Sequence, residues 1–257
     1  MKAADIIKRI EAQQNEQQRQ VLMRFFKTGK GQYGEGDEFL GLKVPQTRAI
    51  VKTVAADTSL NEMPELLQSR WHEVRLCGLL IMVTQFEKAA TKRLINDPKA
   101  TQTRDEIVQL YLRYADRANN WDLVDLSAPK IIGHWLLLPS AMGDADYKQH
   151  VLDGLAASDC LWKQRISIVC TWKTTQQGEL SWCWRYAEKH LHHPHDLMHN
   201  AVGWMLREMG KRDMNMLRQF LKQHAHEMPR TALRYAIEKM PESERREWMI
   251  NLSRCEK

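Results

Sequence analysis

The residues best suited to chemistry lie near the middle of the chain, in residues 118–127, which read Ala-Asn-Asn-Trp-Asp-Leu-Val-Asp-Leu-Ser. In a helix, Trp121 and Asp125 are four residues apart and share one face. Asp is a poor helix former, and a carboxylate beside an apolar ring costs free energy unless a cation or a hydrogen-bond donor meets it. Asp125 is therefore a candidate to stabilise a positively charged group. The alternatives are a helix cap and a structural ion pair with an arginine.

Arg165 is a second candidate. In a helix over residues 160–173 it falls within the arc formed by the apolar side chains Leu161, Trp162, Ile168, Val169 and Trp172. A guanidinium in such a place needs an anion, which could be Asp125 or a phosphate. A structural pair with Asp125, which would hold two repeats together, is the competing interpretation. Lys173 lies near the same side and would extend a cationic track.

Trp204 is the third candidate. The helix around it has an apolar stripe formed by Met198, Val202, Met205, Leu206 and Met209. Trp204 shares the opposite face with Arg207, Glu208 and Lys211. A tryptophan on a helix is commonly a core residue, but here the core side is already occupied. A ring flanked by Arg207 and Lys211 suits a surface that binds phosphates with its cations and sugars or bases with its π face.

These residues must be positioned by helices. Apolar residues recur at three- and four-residue intervals, and alternating runs typical of strands are essentially missing. Short polar or Pro/Gly connectors such as residues 96–98 and 138–140 separate the segments. The chain is therefore predicted to be all-α, with helices over residues 3–27, 46–56, 72–87, 103–115, 121–137, 143–156, 160–173, 180–190, 197–210, 213–223, 230–239 and 242–252.

Several of these helices resemble one another. Tryptophan precedes a charged residue by three or four positions in the segments that end at Arg75, Asp125, Arg165 and Arg207. Arg75 and Arg165 are 90 residues apart, and Asp125 and Arg165 are 40 apart. This spacing fits HEAT or armadillo repeats of roughly 40–47 residues. We therefore predict a single domain over residues 1–257, a curved helical-repeat solenoid with a basic concave face.

The composition is that of an ordinary globular protein. The 257 residues are 43% hydrophobic and 27% charged. No apolar run is long enough to span a bilayer, and the start lacks the apolar core of a secretion signal, so we expect a cytoplasmic protein without a membrane partner. The five cysteines are far apart and form no Cys-x-x-Cys, which predicts neither disulfides nor a zinc site. The net charge of +6 makes a polyanion a natural partner.

Two further motifs have weaker functional interpretations. Residues 29–36 are glycine-rich, but no strand precedes them and no Gly-Lys-Ser/Thr ends them, so we interpret them as a flexible connection rather than a nucleotide-binding loop. Histidines cluster in residues 190–195 and at His199, but Pro194 interrupts them and no Cys or Glu completes a zinc geometry. No metal and no cofactor are expected.

The motifs resemble, in order, those of the AlkD family of DNA alkylation repair glycosylases. They are Phe39-Leu-Gly-Leu-Lys-Val-Pro45 with Arg48, Asn120-Trp-Asp-Leu-Val-Asp125, Trp162-Lys-Gln-Arg165, and Ala201-Val-Gly-Trp-Met-Leu-Arg-Glu208 with Lys211. The resemblance covers roughly residues 20–240. It implies HEAT-like repeats that hold duplex DNA in a basic channel, and removal of purines alkylated at N3 or N7. The chain departs from the family at Phe25, where a tyrosine is common.

The resemblance also implies roles for particular residues. Trp121, Asp125 and Trp204 would face the damaged nucleotide. Arg165 would hold the DNA backbone near the lesion. Lys173, Lys211, Arg207 and Arg48 would be further DNA contacts. The expected partner is duplex DNA containing alkylated bases, bound by a monomer.

The chemistry of such a reaction agrees with these residues. An N3- or N7-alkylated purine is cationic and already a good leaving group, so the enzyme must stabilise the oxocarbenium-like sugar that develops. Asp125 can do this and orient a water, while Trp121 and Trp204 pack on the deoxyribose. The resemblance implies cleavage without base extrusion, which fits a shallow channel. No lysine nucleophile is evident, so a lyase step is not expected. The alternative is a non-catalytic helical-repeat module that binds nucleic acid or protein.

Overall fold

The structure is a computed structural model that describes residues 1–255, with side chains through residue 250. Within that range every regular element is helical, and an isolated bridge joins Glu38 to Trp71. The predicted all-α class is therefore confirmed. None of the described helices is long and apolar enough to cross a bilayer.

The chain forms two compact units, the first over residues 1–144 and the second beginning at Ala145. The first unit contains α1 (Ala3–Glu11), α2 (Glu16–Phe25), α3 (Val44–Val54), α4 (Met63–Leu67), α5 (His72–Ala89), α6 (Pro98–Arg113), α7 (Trp121–Ser127) and α8 (His134–Leu136). The second contains α9 (Ala145–Ala156), α10 (Leu161–Val169), α11 (Thr171–Gln176), α12 (Ser181–Lys189), α13 (Asp196–Arg212), α14 (Met214–His224), α15 (Arg230–Ala236) and α16 (Glu242–Cys255). The single domain over residues 1–257, its curvature and its basic concave face stay predictions.

Helix α5 is the centre of the first unit. It packs against α3, α4, α6 and α7. Its residues are apolar nearly all round, which is typical of a helix that neighbours cover on every side. The exception is its first turn, where His72, Glu73 and Arg75 are charged or polar and are nevertheless buried. These residues support the candidate site.

Helix α13 is the centre of the second unit, where it contacts α10, α11, α12, α14 and α15. The predicted stripe of Met198, Val202, Met205, Leu206 and Met209 is buried. Gly203 allows α15 to approach closely, because a Cβ there would lie 2.4 Å from the Ala232 carbonyl oxygen and 2.6 Å from Tyr235 Cβ. Close packing of these two helices thus depends on the missing side chain.

The predicted helix boundaries were wrong in several places. Residues 3–27 form two helices because the Asn15 side chain caps the second, accepting a hydrogen bond from the Gln18 amide at 2.9 Å. Residues 160–173 divide at Cys170, and residues 121–137 divide into α7, a π-helical turn over Pro129–Gly133 and α8. Helix α4 was missed because five residues are too few to show a helical period.

Candidate functional site

A side-chain cap fixes the N-terminus of helix α7. The Asn120 side chain is its cap and accepts a hydrogen bond from the Trp121 amide at 2.9 Å. The same side chain donates through Nδ2 to Asp37 Oδ2 at 3.2 Å. Asn120 is fully buried, so the first turn of the helix is held from inside the protein. Trp121 and Asp125 follow on one face of the helix, and both are half-buried.

A buried ionic network lies beneath this turn. The His72 ring bridges two carboxylates, with Nδ1 2.8 Å from Asp37 Oδ2 and Nε2 3.0 Å from Asp122 Oδ2. Arg75 donates through Nη2 to the other Asp37 oxygen. All four side chains are buried. The network therefore ties α7, through Asp122 and Asn120, to the first turn of α5.

The charged side chains of this network shift one another's pKa values toward the charged forms. Burial lowers the pKa of His72, but Asp122 and Asp37 outweigh it and raise the pKa to about 9. Burial likewise raises the pKa of Asp37, and the neighbouring His72 and Arg75 hold it below its usual value. His72 is therefore an imidazolium at neutral pH, and both of its N–H groups donate.

Aromatic rings cover the network. Phe39 stacks on His72 with ring centroids 4.3 Å apart, and Phe26 lies 5.1 Å from Phe39 and 5.5 Å from Trp121. The indole Nε1 of Trp121 donates to the Tyr33 hydroxyl at 3.3 Å. The orientation of Trp121 is thus set by ring packing on one side and a hydrogen bond on the other.

Trp121 and Asp125 line a cavity of about 440 Å³ within the first unit. Its walls are Leu22, Phe25, Phe26, Phe39, Leu42, Lys43, Val44, Pro45, His72, Glu73, Leu76, Trp121, Asp122, Asp125 and Leu126. The shallow channel that the resemblance implies stays a prediction, and the cavity has several aromatic walls. The reason is that residues distant in sequence, from α2, the loop before α3, α5 and α7, meet here.

Two of the predicted cations of the second unit already have carboxylate partners. On α13, Lys211 Nζ lies 2.6 Å from Glu208 Oε1, and Arg207 pairs with Glu238. Trp204 is half-buried on the same helix. The prediction that Glu208 lies on the exposed face was wrong. Its carboxylate is buried. Lys211 pairs with one of its oxygens, and the side-chain amide of Gln176 on α11 donates to the other at 3.4 Å.

The remaining predicted contacts differ in burial. Arg165 is 4% exposed, as its apolar surroundings predicted, and its Nη1 donates to the Leu197 carbonyl oxygen at 2.5 Å. Lys173 on α11 and Arg48 on α3 are half-buried. Within the second unit, α10 and α13 therefore hold Arg165 and Trp204 on neighbouring helices.

The histidine segment is held by hydrogen bonds of its own. His190 Nε2 lies 2.8 Å from the Ser167 hydroxyl, and His193 Nε2 lies 2.8 Å from Gln164 Oε1. Burial lowers the pKa of His190 to about 4, so its ring is neutral. Among the described residues, no group of three or more His, Cys, Asp and Glu is arranged to hold a metal ion.

Sequence reasoning missed Tyr33 and Asp37, which lie in and just after the glycine-rich segment. That segment is folded into turns, with Gly34 N donating to the Lys27 carbonyl at 3.2 Å, and differs from the predicted flexible connection. A Cβ at Gly34 would lie 2.4 Å from the Phe26 carbonyl oxygen, so a glycine allows the two segments to touch. The position of Asp37 two residues before the apolar pair Phe39 and Leu40 was the available signal of burial.

The family model described as "DNA alkylation repair enzyme" matches residues 6–240. The chain belongs to this family. Its structure is similar to that of an Enterococcus faecalis protein described as a predicted DNA alkylation repair enzyme, with a TM-score of 0.64 and 13% identity over 90% of this chain and 98% of that one. At that identity the likeness concerns the fold. No curated protein matched the chain.

Membership of the DNA alkylation repair family gives the protein a role in the repair of alkylated DNA, with DNA as its partner.

Proposed function

We propose that the protein is a monofunctional DNA glycosylase that hydrolyses the N-glycosidic bond of cationic N3- and N7-alkylated purines in duplex DNA. One observation carries the proposal. Asp125 and Trp121 share one face of α7 and line the same aromatic cavity, in a chain of the DNA alkylation repair family. A carboxylate beside an aromatic ring suits a site where positive charge develops.

Asp125 supplies the electrostatic part of the reaction. As the bond to the cationic purine lengthens, positive charge moves onto the deoxyribose, and a nearby carboxylate stabilises it. The same carboxylate orients a water toward the anomeric carbon and accepts its proton, and the water oxygen takes the place of the departing base, which leaves neutral. The alkylated purine leaves without protonation because it already carries the charge. No general acid is therefore required.

The cationic side chains bind the phosphates. In this proposal Arg165, Lys173, Arg207 and Lys211 of the second unit contact the DNA backbone, with Arg48 of the first, and Trp204 packs on the deoxyribose near the lesion. Arg207 and Lys211 exchange their carboxylate partners for phosphate oxygens, which bind a guanidinium or ammonium at least as well. The protein acts as a monomer, and base release stops at the abasic site because no lysine nucleophile is assigned.

A non-catalytic helical-repeat module is the second candidate. The pairing of Arg207 with Glu238 and of Lys211 with Glu208 favours it, because a surface of paired charges also suits a protein partner. Such a module gains nothing from Asp125 at the wall of an aromatic cavity.

Release of free base decides between the two. Duplex DNA carrying 7-methylguanine or 3-methyladenine is incubated with the protein, and the released base is separated by chromatography and identified by mass. A glycosylase releases base well above the spontaneous rate and leaves abasic sites. Spontaneous release only, together with equal affinity for damaged and undamaged duplexes, would place the protein with the binding modules. Binding of either duplex is measured at several salt concentrations, because phosphate-driven binding weakens steeply with salt.

A further inference from the structure

A second cavity of the first unit opens at the other end of α5 from the aromatic cavity. It has a volume of about 410 Å³ and lies between the chain that follows α3, the end of α5 and the start of α6. Its walls are Ala55, Ala56, Thr84, Gln85, Lys88, Ala89, Leu94, Asp97, Lys99, Ala100 and Thr103. Leu76 lines the aromatic cavity and Thr84 lines this one, about 12 Å further along the helix. The two cavities can therefore be occupied at the same time.

The floor of this second cavity, which we call the alanine cavity, is apolar. Ala55, Ala89 and Ala100 are buried in it, and Leu94 is half-buried. The Gln85 side chain donates through Nε2 to two backbone carbonyl oxygens in the chain that follows α3, at 2.8 and 2.7 Å. Its amide hydrogens are thus already used by the protein. Methyl groups leave space between the helices, and an apolar side chain suits such a floor.

Unpaired cations surround the alanine cavity. Of the twelve residues 88–99, four are Lys or Arg and one is Asp, a net charge of +3 against +6 for the whole chain. Lys88 and Lys99 line the cavity, and Lys92 and Arg93 lie in the turn between α5 and α6. All four are exposed, and among the described side chains none of the four has an ion-pair partner. They are therefore available to an anion from outside.

The carboxylates beside these cations are bound to other groups. Glu87 Oε1 lies 3.3 Å from the Nζ atom of Lys130. Asp97 is the cap of α6 and accepts a hydrogen bond from the Ala100 amide at 2.8 Å. Neither carboxylate is thus paired with the exposed cations of the segment, although both lie within or next to it in sequence.

A buried arginine adds to this positive region. Arg104 is fully buried, and its guanidinium donates to the carbonyl oxygens of Ala89 at 2.6 Å and Ile95 at 2.8 Å. Neutral carbonyl groups do not cancel its charge. The carboxylates that act on it are those of Asp97 and Asp105. The region therefore has five cations against two carboxylates, and its field favours an acidic partner.

We propose that this region docks an acidic segment of a partner protein, with an apolar side chain in the alanine cavity and carboxylates on the surrounding cations. Lys92 and Arg93 do not line the cavity, so an occupant that also binds them extends beyond it. A DNA backbone offers phosphates without an apolar side chain, whereas a peptide offers carboxylates and an apolar side chain together. The proposal does not depend on the glycosylase reaction, because it concerns the other end of α5.

Synthetic peptides test both parts of the proposed occupant. A fluorescein-labelled peptide of four aspartates followed by a leucine is titrated with the protein, and binding is measured by fluorescence anisotropy. Two matched peptides replace the leucine with serine or the aspartates with asparagine. We expect each replacement to weaken binding at least about tenfold. Equal binding of the leucine and serine peptides, or no binding of the leucine peptide at millimolar concentration, would overturn the proposal.

Charge-matched variants test the location of the site. Combined Lys88→Gln and Lys99→Gln should weaken binding of the leucine peptide at least about tenfold, because both cations line the alanine cavity. Combined Lys8→Gln and Arg9→Gln removes two exposed cations of α1 and is the control. It should stay within about twofold of wild type at the same ionic strength. Equal losses of affinity in the two variants would show unspecific charge attraction and overturn the proposal.

A cavity-filling variant tests the apolar contact separately from the charges. Thr84 is exposed on α5 and lines the alanine cavity, so Thr84→Phe places a ring in it without removing a core residue. Thr53→Phe on α3 is the matched control, because Thr53 is also exposed and both hydroxyls donate to a carbonyl of their own helix. Both variants are first checked for unchanged thermal unfolding. Thr84→Phe should lose the preference for leucine over serine, and Thr53→Phe should keep it. A preference kept by Thr84→Phe would contradict the apolar contact.

Duplex DNA is the competing occupant of these cations. Affinity for an undamaged duplex and release of alkylated base are measured for the Lys88→Gln and Lys99→Gln variant, and we expect both to equal those of wild type. Loss of duplex affinity in this variant would overturn the assignment to a protein partner and place these cations in the DNA interface. Absence of base release by the wild type would reject the glycosylase alone, since peptide binding does not require it.

Discussion

Helices α7 and α13 each present a tryptophan with a charged residue three or four positions later, but they use charge in opposite ways. Beneath α7, the cations His72 and Arg75 of α5 are buried and bind the carboxylates of Asp37 and Asp122 inside the protein. At α13 the side chain of Lys211 is 42% exposed and that of Arg207 is 20% exposed. Buried pairs fix geometry, whereas exposed pairs can change partners. The first unit thus holds its charged side chains in fixed positions, whereas the cations of α13 can exchange their partners.

The largest effect is expected from breaking the buried network. Asp37→Ala leaves the His72 imidazolium and the Arg75 guanidinium without their common partner. Removing one member of a buried pair costs about 3–5 kcal/mol of unfolding free energy. Urea unfolding measures the loss. Asp116→Ala, at an exposed position before α7, should stay within about 0.5 kcal/mol of wild type. Equal losses of unfolding free energy in the two variants would contradict a stabilising role for the buried network.

The pH dependence of stability tests the charge of His72. Its pKa in the folded protein is about 9, above the ordinary value near 6.5. Because the folded state binds this proton more tightly, its contribution is complete below about pH 6.5 and is lost as the pH rises through about 9. The loss should be on the order of 3 kcal/mol. His72→Gln should lack this component, and parallel curves for the two proteins would contradict an imidazolium at this position.

A smaller effect on stability is expected in the second unit from placing a methyl group between α13 and α15. Gly203→Ala places a methyl group 2.4 Å from a backbone oxygen, so the helices must separate at a cost of about 1–3 kcal/mol. Gly154→Ala on α9 is the control, because its Cβ meets nothing within 4 Å. There alanine should stabilise the helix by up to about 1 kcal/mol. Thermal unfolding distinguishes the opposite signs.

The smallest effect on stability is expected at Arg207 of α13. Arg207→Gln should change the unfolding free energy by less than about 1 kcal/mol, because its partner Glu238 is exposed. Lys211→Gln also removes a partner of the buried Glu208 and should cost more. Each should nevertheless reduce the slope of log affinity for duplex DNA against log salt by about 0.9. Lys222→Gln on α14 serves as the charge-matched control and should keep the wild-type slope. An unchanged slope in all three would remove α13 from the DNA interface.

The sequence predicted those features that depend on local periodicity. The apolar stripe of α13 was correct because its residues repeat at helical spacing, and the burial of Arg165 followed from its apolar neighbours. The connector predicted at residues 96–98 does precede a helix, but the predicted start at residue 103 was five residues late, because α6 begins at Pro98 with Asp97 as its cap through the Ala100 amide.

The buried network could not be predicted in this way. Asp37 is 35 residues before His72, and Asp122 is 50 residues after it. Charged residues in isolation indicate a solvated surface, and only the folded chain brings these three together. The burial of Glu208 could not be predicted for the same reason, because its partner Gln176 lies on another helix. The aromatic cavity could not be predicted either, because the segments that form it share no sequence pattern.

The central claim is that Asp125 performs the chemistry at the wall of this cavity. Its most direct test is the single-turnover rate of 7-methylguanine release from duplex DNA by Asp125→Asn, with Asp116→Asn as the matched control and duplex affinity measured for both. We predict that Asp125→Asn slows release about 10²–10³-fold at unchanged affinity, as expected for loss of one preorganised electrostatic group, while Asp116→Asn keeps the wild-type rate. Release by Asp125→Asn at the wild-type rate would contradict the claim.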